Sequence, residues 1–118
     1  MDELTIILIY NKEDDNLLEI NKIIFEEFLK DKTELPVESV AMNVKSSKFT
    51  EQRTANSLLR QHGTTKTPLL LFRKKGVSVR AIYSEEIKAI SDYNALLPKR
   101  FEEAKGIEVT IVEEEVFE

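Results

Sequence analysis

Hydrophobic and polar positions along the chain predict four strands. Residues 4–10 read LTIILIY, an almost unbroken apolar run that is typical of a central strand buried on both faces. Residues 37–44 read VESVAMNV, and their alternation, which places Val40, Met42 and Val44 on one face, predicts a strand. The apolar run PLLLFR at 68–73 and the alternating run VSVRAIY at 77–83 predict a hairpin with RKKG as its turn.

Three helices are predicted between and after these strands. Apolar residues recur at helical spacing from about 15 to 30, and Asp15 and its neighbours offer oxygen atoms that would cap the helix N-terminus. The second helix ends at Gly63, because glycine readily adopts the left-handed conformation that follows many helices. The third helix is predicted to be capped by Ser84 and to end before Pro98.

The predicted order β-α-β-α-β-β-α indicates one α/β domain over residues 1–98, with a four-stranded mixed sheet covered by three helices. Residues 99–118 form a C-terminal extension, in which IEVTIV at 107–112 alternates like an edge strand and precedes an acidic end. Such a strand could join the edge of this sheet, pair with a second copy of the chain in a homodimer, or remain without a partner. The pattern leaves all three arrangements open.

The composition excludes several kinds of chemistry. The 118 residues contain no cysteine, so thiol–disulfide exchange, disulfides and thiolate metal sites are excluded for this chain. The single histidine, His62, disfavours a histidine metal site, and we expect neither a bound metal nor a cofactor. The net charge of −5 disfavours nucleic acid as a partner, because nucleic-acid phosphates are themselves negative.

The sequence predicts no association with a membrane. No apolar run approaches the ~20 residues that are needed to span a bilayer. Asp2 and Glu3 precede the first apolar run, whereas a secretory signal begins with basic residues. We therefore expect a cytoplasmic protein.

A proline directly before an apolar strand is the most informative motif. The segment TPLLLFRKKG at 67–76 resembles the thioredoxin segment in which a cis-proline is followed by an apolar strand and a hairpin glycine. The interval from Pro68 to Gly76 also matches, and LIYNKEDDNLLEINKIIFEEF at 8–28 resembles the first strand and first helix of that family. The resemblance covers residues 4–97 and implies a thioredoxin-like fold.

The departure from the family pattern concerns its reactive motif. Thioredoxins carry Cys-X-X-Cys at the N-terminus of the first helix, where the helix dipole stabilises a thiolate. The matching positions 15–18 read Asp-Asn-Leu-Leu in this chain. The resemblance therefore implies a cysteine-free, redox-inactive member of the fold.

The resemblance also implies a place for a peptide. In the family, the position of the cis-proline exposes the backbone of the preceding residue to a bound extended peptide. The corresponding groove in this chain would be formed by Thr67, Pro68 and the loop that contains Asp14, Asp15 and Asn16.

The leading hypothesis from these observations is a non-catalytic adaptor that binds a protein partner in this groove. The alternative is a regulatory protein that binds a small anion or nucleic acid through the basic hairpin at 73–80. Arg73, Lys74 and Lys75 would supply the positive charge of that site. Charges on a hairpin are also typical of a strand edge that faces solvent.

An enzyme is the third hypothesis. It would need Tyr10, Asp15 and His62 to meet in one pocket. The acidic cluster at 13–15 could instead hold Mg²⁺ or Ca²⁺ or act as a general base, although a helix cap with solvated neighbours is the simpler interpretation. We expect no catalytic activity.

Overall fold

Four strands form one mixed sheet in the part of the chain that the computed structural model describes, residues 4–31 and 37–109. The sheet has the order β2-β1-β3-β4; β1 is parallel to β2 and antiparallel to β3, and β3 forms a hairpin with β4. The strands are β1 (Leu4–Tyr10), β2 (Val37–Asn43), β3 (Leu69–Lys74) and β4 (Val77–Ile82). The predicted four-stranded mixed sheet is confirmed.

Three helices cover the sheet. They are α1 (Leu17–Asn21), α2 (Phe49–Gln61) and α3 (Asp92–Gly106). The chain continues beyond α1 as π-helical turns over Lys22–Phe28 and a 3₁₀ turn over Leu29–Asp31. Gly63 follows α2 in the left-handed conformation, with φ of 67°, as predicted. Among the described residues, no helix combines the length and apolar character needed to cross a membrane; the cytoplasmic location stays a prediction.

The core lies on both faces of the sheet, because the side chains of β1 and β3 alternate between them. One face packs against α1, the π-helical turns and α3, and the other packs against α2. On the first face the buried strand residues are Leu4, Ile6, Leu8, Leu70, Phe72 and Ile82, and on the second they are Ile7, Ile9, Leu69 and Leu71.

The end predicted for the third helix was wrong, because α3 continues through Pro98 to Gly106. Proline in a helix interior removes one main-chain hydrogen bond. The helix nevertheless continues, because Phe101 and Ala104 beyond the proline are buried in the core. The ring of Phe101 also contacts that of Phe28 edge to face, with 5.3 Å between centroids. The boundary predicted after residue 98 therefore falls within α3.

The start predicted for the same helix was wrong as well. Ser84 begins a short 3₁₀ turn, Ser84–Glu86, and the chain then runs through residues 87–91 before α3 begins at Asp92. The apolar residues Ile87 and Ile90 therefore lie before α3, although they pack against the core beside it.

Two lysines of the β3–β4 hairpin contact the chain at and after the end of α3. Lys74, which is only 5% exposed, donates from Nζ to the carbonyl oxygens of Lys105 at 2.8 Å and Ile107 at 2.7 Å. Lys75 donates from Nζ to the carbonyl oxygen of Val109 at 3.1 Å. Residues 107–109 form no strand; the rest of the predicted strand 107–112 lies outside the described residues, so the homodimer stays a prediction.

The role of α3 beyond Pro98 can be tested with two phenylalanines. Phe101 is 2% exposed and Phe49 is 66% exposed. We expect Phe101→Ala to lower the free energy of unfolding by about 3–5 kcal/mol, because it leaves a cavity in the core. Phe49→Ala should lower it by less than about 1 kcal/mol. Urea unfolding measures both values, and equal losses would contradict the packing of α3.

Candidate functional site

A groove of about 410 Å³ lies where three loops meet at one end of the sheet. The loops are adjacent because β3 is antiparallel to both β1 and β4, which brings the end of β1, the start of β3 and the end of β4 together. The five residues of the implied peptide site all line this groove, together with residues of α1, α3 and the loop before α3. The lining residues are Glu13, Asp14, Asp15, Asn16, Ile20, Thr67, Pro68, Ser84, Ile87, Lys88, Ala89, Ile90 and Tyr93.

The carboxylate of Asp14 joins two walls of the groove. Its Oδ2 accepts a hydrogen bond from the main-chain N–H of Asn11 at 2.8 Å, which closes the loop after β1. Its Oδ1 accepts from the hydroxyl of Thr67 at 2.9 Å, across 53 positions of sequence. The expected side-chain cap of α1 is absent at Asn16, which occupies the cap position in the left-handed conformation. The acidic loop is thus bound to the loop before β3.

Thr67 presents unpaired main-chain groups at the groove. The Thr67–Pro68 peptide bond is cis, and β3 begins at the next residue, Leu69. Neither the N–H nor the carbonyl of Thr67 forms a hydrogen bond with any residue in the described part of the chain. Thr67 is only partly buried, so these two groups can bind water or a ligand.

An ion pair holds the third wall of the groove, which is the segment that follows β4. Glu86 Oε2 accepts from the main-chain N–H of Tyr83 at 2.9 Å, and Glu86 Oε1 lies 2.7 Å from Arg100 Nη2. The Arg100 hydrogen bond is the main cause that lowers the pKa of the Glu86 carboxyl below its usual value. Arg100 also donates to the carbonyl of Ala81 at 2.8 Å. The end of β4 and the turn after it are thereby fixed to α3.

The remainder of that wall is held by Asp92, at the start of α3. Its Oδ2 accepts from the main-chain N–H groups of Lys88 at 2.8 Å and Ala89 at 3.0 Å. These two hydrogen bonds lower the pKa of the Asp92 carboxyl. The loop before α3 is therefore closed onto the helix that follows it.

Tyr93 connects the groove to the core, and no functional role was predicted for it. Its side chain is 2% exposed and packs with the core residues between the sheet and α3. Every fully buried side-chain nitrogen or oxygen of the described residues has a hydrogen-bonding partner, but no hydrogen bond to the Tyr93 hydroxyl occurs among those residues. The hydroxyl therefore reaches the surface where Tyr93 lines the groove. Burial, and then the charge of Asp14, raise the pKa of Tyr93 to about 12.

The three residues of the enzyme hypothesis do not meet in this groove. Asp15 lines it, whereas Tyr10 and His62 do not. At the end of α2, His62 Nδ1 lies 3.2 Å from the hydroxyl of Tyr83. Burial and the charge of Arg73 lower the pKa of His62. Nor do any three His, Cys, Asp or Glu side chains cluster as metal ligands within residues 4–31 and 37–109.

The positively charged side chains of the basic hairpin bind other residues of the same chain. Arg73 donates to the hydroxyl of Ser78 at 2.8 Å and to the carbonyl of Gly76. Lys74 and Lys75 hold the chain at the end of α3, as described above. This arrangement gives no support to an anion site at the hairpin.

Comparison with known proteins identifies the fold. No family model matches the sequence, and neither does any curated protein. Thioredoxin O2 of Arabidopsis thaliana, in its oxidized state, has a similar structure, with a TM-score of 0.56 at 14% identity over 81% of this chain and 73% of that one. A designed protein reaches 0.57 at 10% identity, over 90% of this chain and 79% of that one. Chlamydomonas reinhardtii thioredoxin f2 reaches 0.50 at 17% identity, over 84% and 80%.

These similarities show that the chain has a thioredoxin-like fold, as the sequence predicted. At such low identity they establish the fold alone. The chain differs from thioredoxins in having no cysteine.

The ion pair of the third wall yields a pH-dependent prediction. We expect Glu86→Gln to lower the free energy of unfolding at pH 7 by about 1–3 kcal/mol, because charge-assisted hydrogen bonds are lost. The folded-state pKa of Glu86 lies below the usual 4.5. Its contribution is therefore present above pH 4.5 and is lost as the pH falls through the folded-state value. Urea unfolding at pH 7 and pH 3 should show the difference from wild type shrinking.

The neighbouring glutamate provides the control for this prediction. Glu85 lies 3.6 Å from Lys66, and both side chains are more than half exposed. We expect Glu85→Gln to change the free energy of unfolding by less than about 1 kcal/mol. Equal effects of the two substitutions at pH 7 would contradict the role assigned to Glu86.

Proposed function

We propose that this protein is a non-catalytic interaction module that binds an extended segment of a partner protein in the groove. The observation that carries the proposal is the unpaired main-chain N–H and carbonyl of Thr67 at the groove wall. An extended peptide that runs past Thr67 would satisfy both groups with its own main chain, and main-chain pairing is the source of affinity in many peptide-binding sites. Affinity would then come from main-chain pairing and selectivity from side chains in the groove.

The shape and lining of the groove suit such a ligand. Its volume of about 410 Å³ lies within the roughly 300–1,000 Å³ of typical binding pockets. Ile20, Pro68, Ile87 and Ile90 supply apolar surface, and hydroxyl and charged groups surround it. This combination would bury an apolar side chain of the partner while leaving polar groups to orient its backbone.

The walls of the groove are held before any partner binds. Asp14 joins the acidic loop to Thr67, and Glu86 and Asp92 hold the opposite wall. A site that is already ordered spends less conformational entropy on binding than one that must first be assembled. A flexible segment loses conformational entropy when it becomes ordered on binding. The groove suits such a segment because it adds little further loss of its own.

The absence of catalysis in the proposal rests on the side chains available. Thioredoxins use a thiolate at the start of the first helix, and this chain has aspartate, asparagine and two leucines at the corresponding positions 15–18. Tyr10 and His62, the other candidates for acid–base chemistry, lie away from the groove. The groove's remaining groups support binding better than bond cleavage.

The test of the proposal is peptide selection followed by a blocking substitution. A random peptide display library is selected against the wild-type protein, and the enriched peptides are measured by fluorescence anisotropy. We expect Thr67→Arg to weaken their binding at least about tenfold, because the larger side chain fills the groove beside the unpaired main chain. Thermal unfolding checks that the variant remains folded.

Thr65→Arg is the matched control, since Thr65 is exposed and does not line the groove. It introduces the same side chain and charge two residues away and should leave peptide binding unchanged. Peptides that bind both variants equally, or a library that yields none, would overturn the proposed function.

A further inference from the structure

The groove carries unneutralised negative charge. Glu13, Asp14 and Asp15 line it, and in the described part of the chain none of the three carboxylates forms an ion pair. Among the described residues, Asp14 accepts hydrogen bonds only from neutral donors, the N–H of Asn11 and the hydroxyl of Thr67. Of the lining residues, all of which are described, only Lys88 is basic. Three adjacent acidic groups facing one lysine leave a local excess of negative charge.

Tyr93 is an independent sign of a ligand at the same place. Its side chain is almost fully buried, yet its hydroxyl lines the groove without a hydrogen-bonding partner among the described residues. Asp14 and Tyr93 line the same groove, and the charge of Asp14 adds to the effect of burial in raising the pKa of Tyr93. A nearly buried hydroxyl beside a carboxylate is available to a group that brings hydrogen-bond donors and positive charge.

We propose that the partner segment carries a lysine or arginine side chain, which enters the groove and is bound by Asp14, Asp15 and the Tyr93 hydroxyl. This inference rests on the proposed function and specifies its ligand. An ammonium or guanidinium group has only donors, which match the carboxylate oxygens and the lone pairs of the hydroxyl. Its aliphatic stem would pack along the apolar residues that line the groove.

A divalent metal ion fits the site less well than an organic cation. Calcium takes six to eight oxygen ligands at about 2.3–2.6 Å, and the described carboxylates do not converge as metal ligands. A lysine or arginine side chain needs only a few hydrogen bonds at ordinary distances, and it arrives attached to a backbone that can pair with Thr67.

The experiment compares charged and neutral versions of one peptide. A peptide that Thr67→Arg excludes is synthesised with its arginine replaced by citrulline, or its lysine by norleucine, and affinities are measured by isothermal titration calorimetry. We expect wild type to bind the neutral version about tenfold or more weakly, because a charge-assisted hydrogen bond is lost. Asp15→Asn should weaken the charged peptide and reduce the difference between the two versions. Asp15 is exposed and makes no structural hydrogen bond among the described residues, so the variant should fold.

The control for charge is Glu19→Gln, which removes one negative charge from an exposed residue of α1 outside the groove. It should change the affinity of the charged peptide less than about twofold. A loss as large as that of Asp15→Asn would mean non-specific attraction and would overturn the inference. Tyr93→Phe tests the hydroxyl separately and should weaken the charged peptide more than the neutral one.

The two proposals fail in different ways. If Thr67→Arg excludes the selected peptides but they contain no basic residue, or bind equally well as neutral versions, the cation inference is overturned and the proposed function stands. If no selected peptide is sensitive to Thr67→Arg, the proposed function fails and the inference fails with it.

Discussion

The fold depends on β1, which must be buried on both faces at the centre of the sheet. Its apolar run supplies side chains to both cores, and it pairs with β2 on one side and β3 on the other. Because β3 is antiparallel to β1 and to β4, the loops after β1 and β4 meet the loop before β3 at one end of the sheet. The groove is thus a consequence of strand direction, and its chemistry is set by loop residues that the core does not constrain.

Three carboxylates stabilise the conformation of these loops. Asp14, Glu86 and Asp92 each accept main-chain hydrogen bonds within a loop, and Asp14 and Glu86 also bind a side chain from elsewhere in the fold. Acidic residues that hold structure therefore stand next to exposed ones, such as Asp15, that do not. Asp14 has both positions at once, because it lines the groove and also holds its loops together, whereas Asp15 lines the groove without a structural hydrogen bond among the described residues.

The sequence predicted correctly the elements that have a strong apolar pattern. It failed where a local preference, such as that of proline for a helix end, is overridden by packing in the core. All four strands were predicted from their patterns. Pro98 was interpreted as a helix end because proline disfavours a helix interior, whereas the burial of Phe101 beyond it cannot be seen in the sequence. The loop residues of the groove followed from resemblance to thioredoxins. Tyr93 had no predicted role, since the fold brings it to the same groove as Asp14, 79 positions earlier, and no local pattern shows that proximity.

The lysines of the β3–β4 hairpin determine where the chain lies directly after α3. By binding the carbonyls of Lys105, Ile107 and Val109, Lys74 and Lys75 keep Val109 at the hairpin end of β3, whereas the groove lies at the other end of that strand. Six residues of β3 separate the two ends, a distance of about 20 Å at the rise of an extended strand. A label attached at Val109 would therefore report on the hairpin end of the sheet and stay clear of a ligand in the groove.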